Sequence, residues 1–341
     1  MIRTAVIGAG HWGPNLIRNF HDQQRSEVVR LVDRDPTRRG QVSQRFPDIE
    51  VAGDASTIFE DPSIDAVIIA TPTVTHYELV LAALEAGKHV LVEKPITTSS
   101  AEAEELCDLA ERKGRVLMVG HVFLYNGAVL QIKDYLDAGE LGPIYYISML
   151  RTNLGPIRMD VNAAWDLAAH DISIANYWLD SDPISATAVG GSWINSQIED
   201  AVFATLRNPT GVLVNLHASW LNPRKARDIT IVGERKMLTF DDVNLTEPIR
   251  IYDKFVSDET TNPAYVDTFA AFRSSVRDGE IRIPKVNPGE PLKNECEHFL
   301  DCVATTRSPR TDGREGIRVV RALEAISRSV KNGGREEPVP S

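Results

Sequence analysis

Over the first 120 or so residues, short continuous apolar runs alternate with segments whose apolar positions recur at helical spacing. Residues 4–7, 28–33, 65–70, 89–92 and 116–119 read as strands. The run 65–70 lacks the alternation of a half-exposed strand, as a parallel strand covered on both faces should. Helices are predicted at about 38–46, at 76–86 and from a cap at Ser99 or Ser100 to Lys113. The second carries Leu79, Ala82, Ala83 and Ala86 on one side and closes at Gly87, and Gly114 ends the third. Repeated β–α alternation implies a parallel sheet with right-handed crossovers.

The pattern changes after Gly120. A helix at 128–138 leads to a strand at 144–152 and a polar, irregular segment at 153–164. A further helix is expected to run through Trp178. Strands then follow without intervening helices at 184–189, 200–206, 211–220, 228–232, 237–240 and 250–252. Short turns such as Asn208-Pro209-Thr210-Gly211 signal a mostly antiparallel sheet. Residues 257–291 read as a long loop. Two amphipathic helices follow, carrying Cys296, Phe299, Leu300 and Val303, then Ile317, Val320, Leu323, Ile326 and Val330. The final residues read as a frayed tail. The expected architecture is an α/β doubly wound parallel domain over 1–121 and an α+β domain with a large, mostly antiparallel open sheet over 122–341.

Composition narrows the function. The 341 residues suffice for two domains, and the net charge of −11 argues against bulk attraction to nucleic acid or acidic membranes. An anionic substrate would need a local basic cluster, for which Arg158 and the group Arg224, Lys225 and Arg227 are candidates. Three cysteines form no C-x-x-C pair, which suits a reducing cytoplasm, with Cys107 and Cys296 as packing residues. A strand from the fourth residue leaves no room for a signal peptide, and no apolar run approaches a bilayer span. The histidines His121, His170 and His217 lack metal-ligand spacing, so no metal is expected.

The first strand ends in Gly8-Ala9-Gly10-His11-Trp12-Gly13, followed by Pro14 at a helix start. Strand, G-x-G-x-x-G and helix in that order suit a dinucleotide: Gly8 for the tight turn, Gly10 for backbone approach to pyrophosphate, Gly13 for close helix–strand packing. The helix N–H groups and dipole face the phosphates. Asp33 ends the second strand about twenty residues on, where ribose hydroxyls should lie. It would repel a 2′-phosphate and so favours NAD, although neighbouring Arg34 leaves NADP open. Ligands of such sheets bind beyond the strands' carboxyl ends, which singles out the loops 71–76, 93–95 and 120–126. Lys94, directly after a buried strand and before Pro95, is either a poised acid–base lysine or a surface lysine paired with Glu93. Asp166 and His170 stand one helical turn apart, as a carboxylate-oriented general base or as an N-cap and a satisfied histidine. Asp171 is a competing carboxylate on the side of Leu167 and Ile174.

The glycine motif, Ala70-Thr71-Pro72 with His76, Glu93-Lys94-Pro95, Gly120-His121 and Asp166-x-x-x-His170 together resemble the Gfo/Idh/MocA oxidoreductase family over nearly the whole chain. The resemblance implies a Rossmann domain, with Lys94, His170 and Asp166 as the catalytic group. It implies cofactor contacts from Gly8, Gly10, His11, Trp12, Gly13, Asp33, Arg34, Glu93, Lys94 and His121, with Thr71, Pro72 and His76 walling the nicotinamide half. Substrate contacts would come from Lys94, Asn126, Asn153, Arg158, Trp165, Asp166, His170 and Arg224. A homodimer or homotetramer through the second-domain sheet is also implied. The segments 120–126 and 153–158 look most like members acting on nucleotide-linked sugars, including UDP-N-acetylglucosamine-uronate 3-dehydrogenases. Ala163-Ala164 departs from the Gly-Gly opening of several of those enzymes. The expected reaction is oxidation of a secondary hydroxyl, at C3, of a small-molecule sugar or nucleotide sugar. An NADPH-dependent keto-sugar reductase, an inositol or polyol dehydrogenase and a lapsed cofactor-binding regulator are the rivals.

Overall fold

A computed structural model describes residues 1–256, 276–287 and 289–340. The chain forms two compact units. The first comprises Met1–Asn126, Met159–Val161 and Gly289–Glu324. Compactness therefore differs from a single cut at residue 121, because a late segment returns to the first unit. In chain order the first unit carries β1 (Ile2–Ile7), α1 (Gly13–His21), β2 (Ser26–Val32), α2 (Pro36–Arg45) and β3 (Glu50–Ala52). There follow α3 (Ser56–Phe59), β4 (Ala66–Ile69), α4 (His76–Glu85), β5 (His89–Glu93), α5 (Ser100–Lys113) and β6 (Leu117–Gly120). The strands pair in parallel in the order β3-β2-β1-β4-β5-β6, so this is a doubly wound Rossmann sheet. All four residues of β4 are buried, as its unbroken apolar run requires.

Two local readings change. The buried stripe of α4 is His76, Val80, Ala83 and Leu84, not Leu79, Ala82 and Ala86, because His76 points inward at the helix start. The start of α5 is held from elsewhere: the Ser100 N–H and hydroxyl both donate to the Glu324 carboxylate, at 2.9 and 2.8 Å. The helix Pro291–Thr305 packs against α1, with Phe299 edge-on to Phe20 at 6.0 Å between centroids. Together with Leu16, Ile17, Leu292, Cys296 and Leu300 these rings form a continuous buried cluster.

The second unit comprises Gly127–Arg158, Asn162–Pro288 and Ala325–Ser341. Its elements are α6 (Gly127–Asp137), β7 (Ile144–Leu154), a π-helical turn (Ala164–Ala168), α7 (Ala169–Leu179), β8 (Ser185–Gly191), β9 (Ala201–Arg207) and β10 (Leu213–Ser219). They continue with β11 (Leu221–Gly233), β12 (Met237–Asp241), β13 (Ile249–Val256), β14 (Val276–Arg282) and β15 (Glu337–Pro338). Among the described residues nine strands run in the order β14-β13-β12-β11-β7-β10-β9-β8-β15. Every pairing is antiparallel except β7 with β10.

Residues 257–291 were expected as loop. Part of that stretch is strand β14, another part begins the helix Pro291–Thr305, and much of the remainder lies outside the described residues. The tail is not frayed either: Glu337 and Pro338 pair with β8, and the Val339 N–H donates to the Ile184 carbonyl at 2.9 Å. Strand β11 is longer than expected: Leu221 pairs with Leu154 and Ala226 with Thr152, and the register shift between them bulges the polar stretch around Arg224 out of the paired ladder. Among the described residues no helix is long and apolar enough to cross a membrane.

Candidate active site

The turn after β1 shows why its glycines are there. Gly8 has φ +101°, and a Cβ on it would stand 2.6 Å from the Ala70 carbonyl oxygen. A Cβ on Gly13 would lie 2.1 Å from the Gly8 carbonyl oxygen, so α1 could not start so close to the turn with any side chain there. Gly10 is different. Its Cβ would meet only the Arg38 guanidinium, at 3.7 Å, which leaves the backbone open for a ligand to approach. The first turn of α1 has no side-chain cap; Pro14 carries no N–H and the Asn15 N–H donates to the Trp12 carbonyl at 3.0 Å, which leaves the Gly13 N–H of that turn for an anion. This cradle fits a dinucleotide pyrophosphate.

Asp33 is nearly buried, and its carboxylate braces the cradle. Oδ2 accepts the Ala9 N–H at 2.7 Å and Oδ1 the Asp35 N–H at 2.8 Å. Each oxygen keeps a lone pair for a ribose hydroxyl. The cation beside it is Arg38, with Nη1 3.8 Å from Asp33 and Nε 3.5 Å from Asp35. Arg34, the cation expected here, is exposed. Arg38 was missed because only the first turn of α2 brings it back over the carboxylate. His11 and Trp12 are exposed at the turn.

At the carboxyl ends of β5 and β6 lies the second element. Lys94 is half-buried, its N–H 3.3 Å from the Glu93 carboxylate, and its peptide bond to Pro95 is cis. His76 ties the flanking loops together, with Nδ1 2.9 Å from the Pro95 carbonyl oxygen and Nε2 2.9 Å from that of Thr71. Its exposure is 1%, so it acts on this site from behind rather than as a wall facing the cofactor. Thr71 accepts a hydrogen bond from the Thr75 hydroxyl at 2.7 Å, and Pro72 is exposed. His121 also departs from expectation. It is fully buried, and burial together with the charge of Lys94 pushes its pKa down to about 3. It is a neutral imidazole, and neither ring nitrogen has a hydrogen-bond partner among the described residues.

Behind Glu93 stands Glu295, from the helix Pro291–Thr305. It is fully buried, and neither carboxyl oxygen has a hydrogen-bond partner. Burial and the neighbouring Glu93 hold its pKa well above the carboxylate range, so it keeps its proton. Gly120 makes room here: a Cβ on it would stand 3.2 Å from the Glu93 carboxyl group. The unfolded chain loses the Glu295 proton from roughly pH 4.5 upward while the folded chain retains it, so stability falls as pH rises through that window. Glu295→Gln removes this slope, by up to about 1.4 kcal/mol per pH unit. Thermal melts should therefore show the variant's advantage over wild type growing from about pH 5 to about pH 8. An equal difference at both pH values would refute the protonated carboxyl.

In the second unit, Asn162 starts the π turn, its Oδ1 accepting the Trp165 N–H at 3.1 Å. Asp166 and His170, both half-buried, follow within this turn and the first turn of α7. Asp166 is not a helix cap: Oδ2 accepts the Trp220 indole N–H at 3.0 Å and Oδ1 the Arg158 guanidinium at 3.3 Å. Arg158, expected to meet a substrate anion, is thus engaged by Asp166. Trp165 is buried with its indole N–H on the Ser327 hydroxyl at 2.9 Å, so only its ring is left to touch a ligand. Arg224 is exposed and paired with Asp228 at 3.0 Å, while Asn126 and Asn153 are half-buried. Asp171 points inward, its Oδ1 accepting two hydrogen bonds from Arg151, at 2.9 and 2.7 Å. Cys107 is a packing residue as expected, its thiol pushed up to about 12 by burial.

A Rossmann sheet with this glycine cradle and a lysine at the end of β5 defines a nicotinamide-dinucleotide oxidoreductase. Sequence comparison agrees. Residues 2–121 match the model of the oxidoreductase family with an NAD-binding Rossmann fold, and 129–239 match the GFO/IDH/MocA C-terminal domain. UDP-N-acetylglucosamine 3-dehydrogenase of Acidithiobacillus ferrooxidans is 28% identical, over 97% of each chain. The NAD⁺-dependent scyllo-inositol 2-dehydrogenase of Bacillus subtilis is 30% identical over 65% of this chain and 68% of its own. The solved structure of the Acidithiobacillus enzyme superposes with a TM-score of 0.80 at 26% identity, covering 98% of this chain and 99% of that one. The chain belongs to the Gfo/Idh/MocA family of NAD(P)-dependent dehydrogenases acting on sugar and inositol CH–OH groups.

Proposed function

We propose that this protein is an NAD-dependent dehydrogenase that oxidises a secondary hydroxyl, at C3, of a nucleotide-linked sugar, with Lys94, His170 and Asp166 as its catalytic residues. The observation that carries the reading is Lys94, held by Pro95 and the His76 tie at the carboxyl end of β5, in the sheet that carries the glycine cradle. The sugar assignment is supported by the full-length similarity to UDP-N-acetylglucosamine 3-dehydrogenase.

The bound nicotinamide supplies the hydride acceptor. The chain's own groups do the rest. Gly10 and the start of α1 hold the pyrophosphate, and Asp33 takes the ribose hydroxyls. Lys94 or His170 accepts the hydroxyl proton as the hydride leaves carbon, and Asp166 fixes the imidazole's proton position. Alignment of donor and acceptor carries most of the rate. Asp33 disfavours a 2′-phosphate, and the charge of Arg38 is already engaged by Asp33 and Asp35.

The exposed sheet face supports a homodimer or homotetramer. Val189, Phe203, His217 and Leu150 stand in one row across β8, β9, β10 and β7, with Phe203 stacked on His217 at 4.3 Å. Val189, Phe203 and Tyr146 are 54%, 48% and 45% exposed, more apolar surface than one sheet face of a monomer needs to show. A single-chain mass in solution would exclude this assembly.

NADH and NADPH titrations by fluorescence, followed by turnover of UDP-N-acetylglucosamine, dTDP-sugars and inositols scored as NADH formation, test the whole reading. NAD preference and oxidation of the UDP-sugar are expected. A clear NADPH preference overturns the cofactor. Turnover of inositols alone establishes the second reading, which similarity to the Bacillus enzyme favours. Cofactor binding with no turnover points to a lapsed regulator.

A further inference from the structure

We propose that Trp220 is a positioning residue for Asp166, and that its indole N–H sets the direction of that carboxylate. The role rests on the assignment of Asp166 to catalysis above. The geometry stands without it.

Asp166 lies inside the π turn Ala164–Ala168. Residues four apart stay close to one face in π as in α winding, so helix geometry sets the side from which the carboxylate leaves. It does not set the direction in which the carboxylate oxygens point, and the neighbours must. Two side chains do so, and they differ in stiffness. Arg158 is half-buried, on the connection between β7 and the π turn, and its guanidinium is 3.3 Å away. Trp220 has 0% exposure and stands between β10 and β11, in the middle of the sheet's sequence. Its backbone N–H donates to the Asp200 carbonyl at 3.0 Å. Asp200 is itself buried, and its carboxylate collects the N–H groups of Trp193 and Ile194 at 2.6 and 2.8 Å.

The indole is thus a rigid donor built on the sheet, aimed at Oδ2 from 3.0 Å. An indole N–H can only donate, and its hydrogen bond is strongest to an ionised carboxylate, the form that orients an imidazole. A phenylalanine at 220 would keep most of the ring bulk and lose only the donor.

Indole ¹H–¹⁵N spectra of the full-length protein test the contact, since its five tryptophans give few resonances and Trp220→Phe identifies the one concerned. Asp166→Asn is expected to move that resonance more than the other four. Trp220→Phe is expected to lower kcat on UDP-N-acetylglucosamine with NAD about ten- to a hundredfold, the range for one hydrogen bond to a charged group. NADH affinity should be unchanged, and KM should move far less than kcat. An unmoved Trp220 resonance in Asp166→Asn, or wild-type kcat in a folded Trp220→Phe, overturns the inference. If Trp220→Phe does not fold, phenylalanine variants of the other four tryptophans identify the resonance by elimination and the Asp166→Asn spectrum decides alone. Should wild type oxidise no sugar or inositol, the functional reading fails, while the spectrum still tells whether the indole holds Asp166.

Discussion

Replacing Lys94 by alanine is expected to lower kcat by about 10²–10⁴-fold, the contribution typical of a positioned acid–base group. NADH binding should stay within a few-fold of wild type, because the cradle at Gly8, Gly10 and Gly13 and the Asp33 brace are untouched. Lys94→Arg separates charge from proton transfer. Guanidinium keeps the positive charge that acts on His121 but does not give up its proton near neutral pH, so the variant should also be nearly inactive. Activity retained in arginine and lost in alanine would reduce Lys94 to an electrostatic role. Activity retained in both would remove it from the mechanism.

The largest stability effect is expected at Arg151. It is 4% exposed and is the hydrogen-bonded partner of Asp171, which is 2% exposed and faces Arg227 as a more distant cation. Burial pushes the Asp171 carboxyl up, and Arg151 opposes that rise. Arg151→Met strands the carboxylate, and breaking such a pair costs about 3–5 kcal/mol. The loss should shrink at low pH, where the stranded carboxyl can take a proton. Combined Arg151→Met and Asp171→Leu should recover most of the stability, because two apolar groups can replace a buried pair. Denaturant melts measure all three. A loss below about 1 kcal/mol in the single variant would show that the pair does not hold α7 to the sheet. Since His170 precedes Asp171, slack there should lower activity as well.

Much of the first unit was legible in the sequence because its signals are local. A glycine that must adopt φ +101°, a fully apolar β4 and a helix closed by Gly114 each follow from steric or burial demands within a few residues. What escaped has one physical origin: contacts between residues far apart in the chain. Glu324 caps α5 from 224 positions away, and Trp220 reaches Asp166 across 54. Glu295 reads as one more charged position on a helix and is in fact a buried acid behind Glu93. His76 and His121 carry motif positions, yet packing turns both inward. The edge strand β15 has too little pattern to announce itself in two residues, and only β8 makes it a strand.

Periodicity and glycine stereochemistry, which act within a few residues, determined the two-part architecture, the cofactor cradle and the segments bearing Lys94, Asp166 and His170. Which carboxylates keep a proton, which histidines face inward and what holds Asp166 were decided by the tertiary structure. Those properties depend on desolvation and on hydrogen-bond partners that only folding brings within reach.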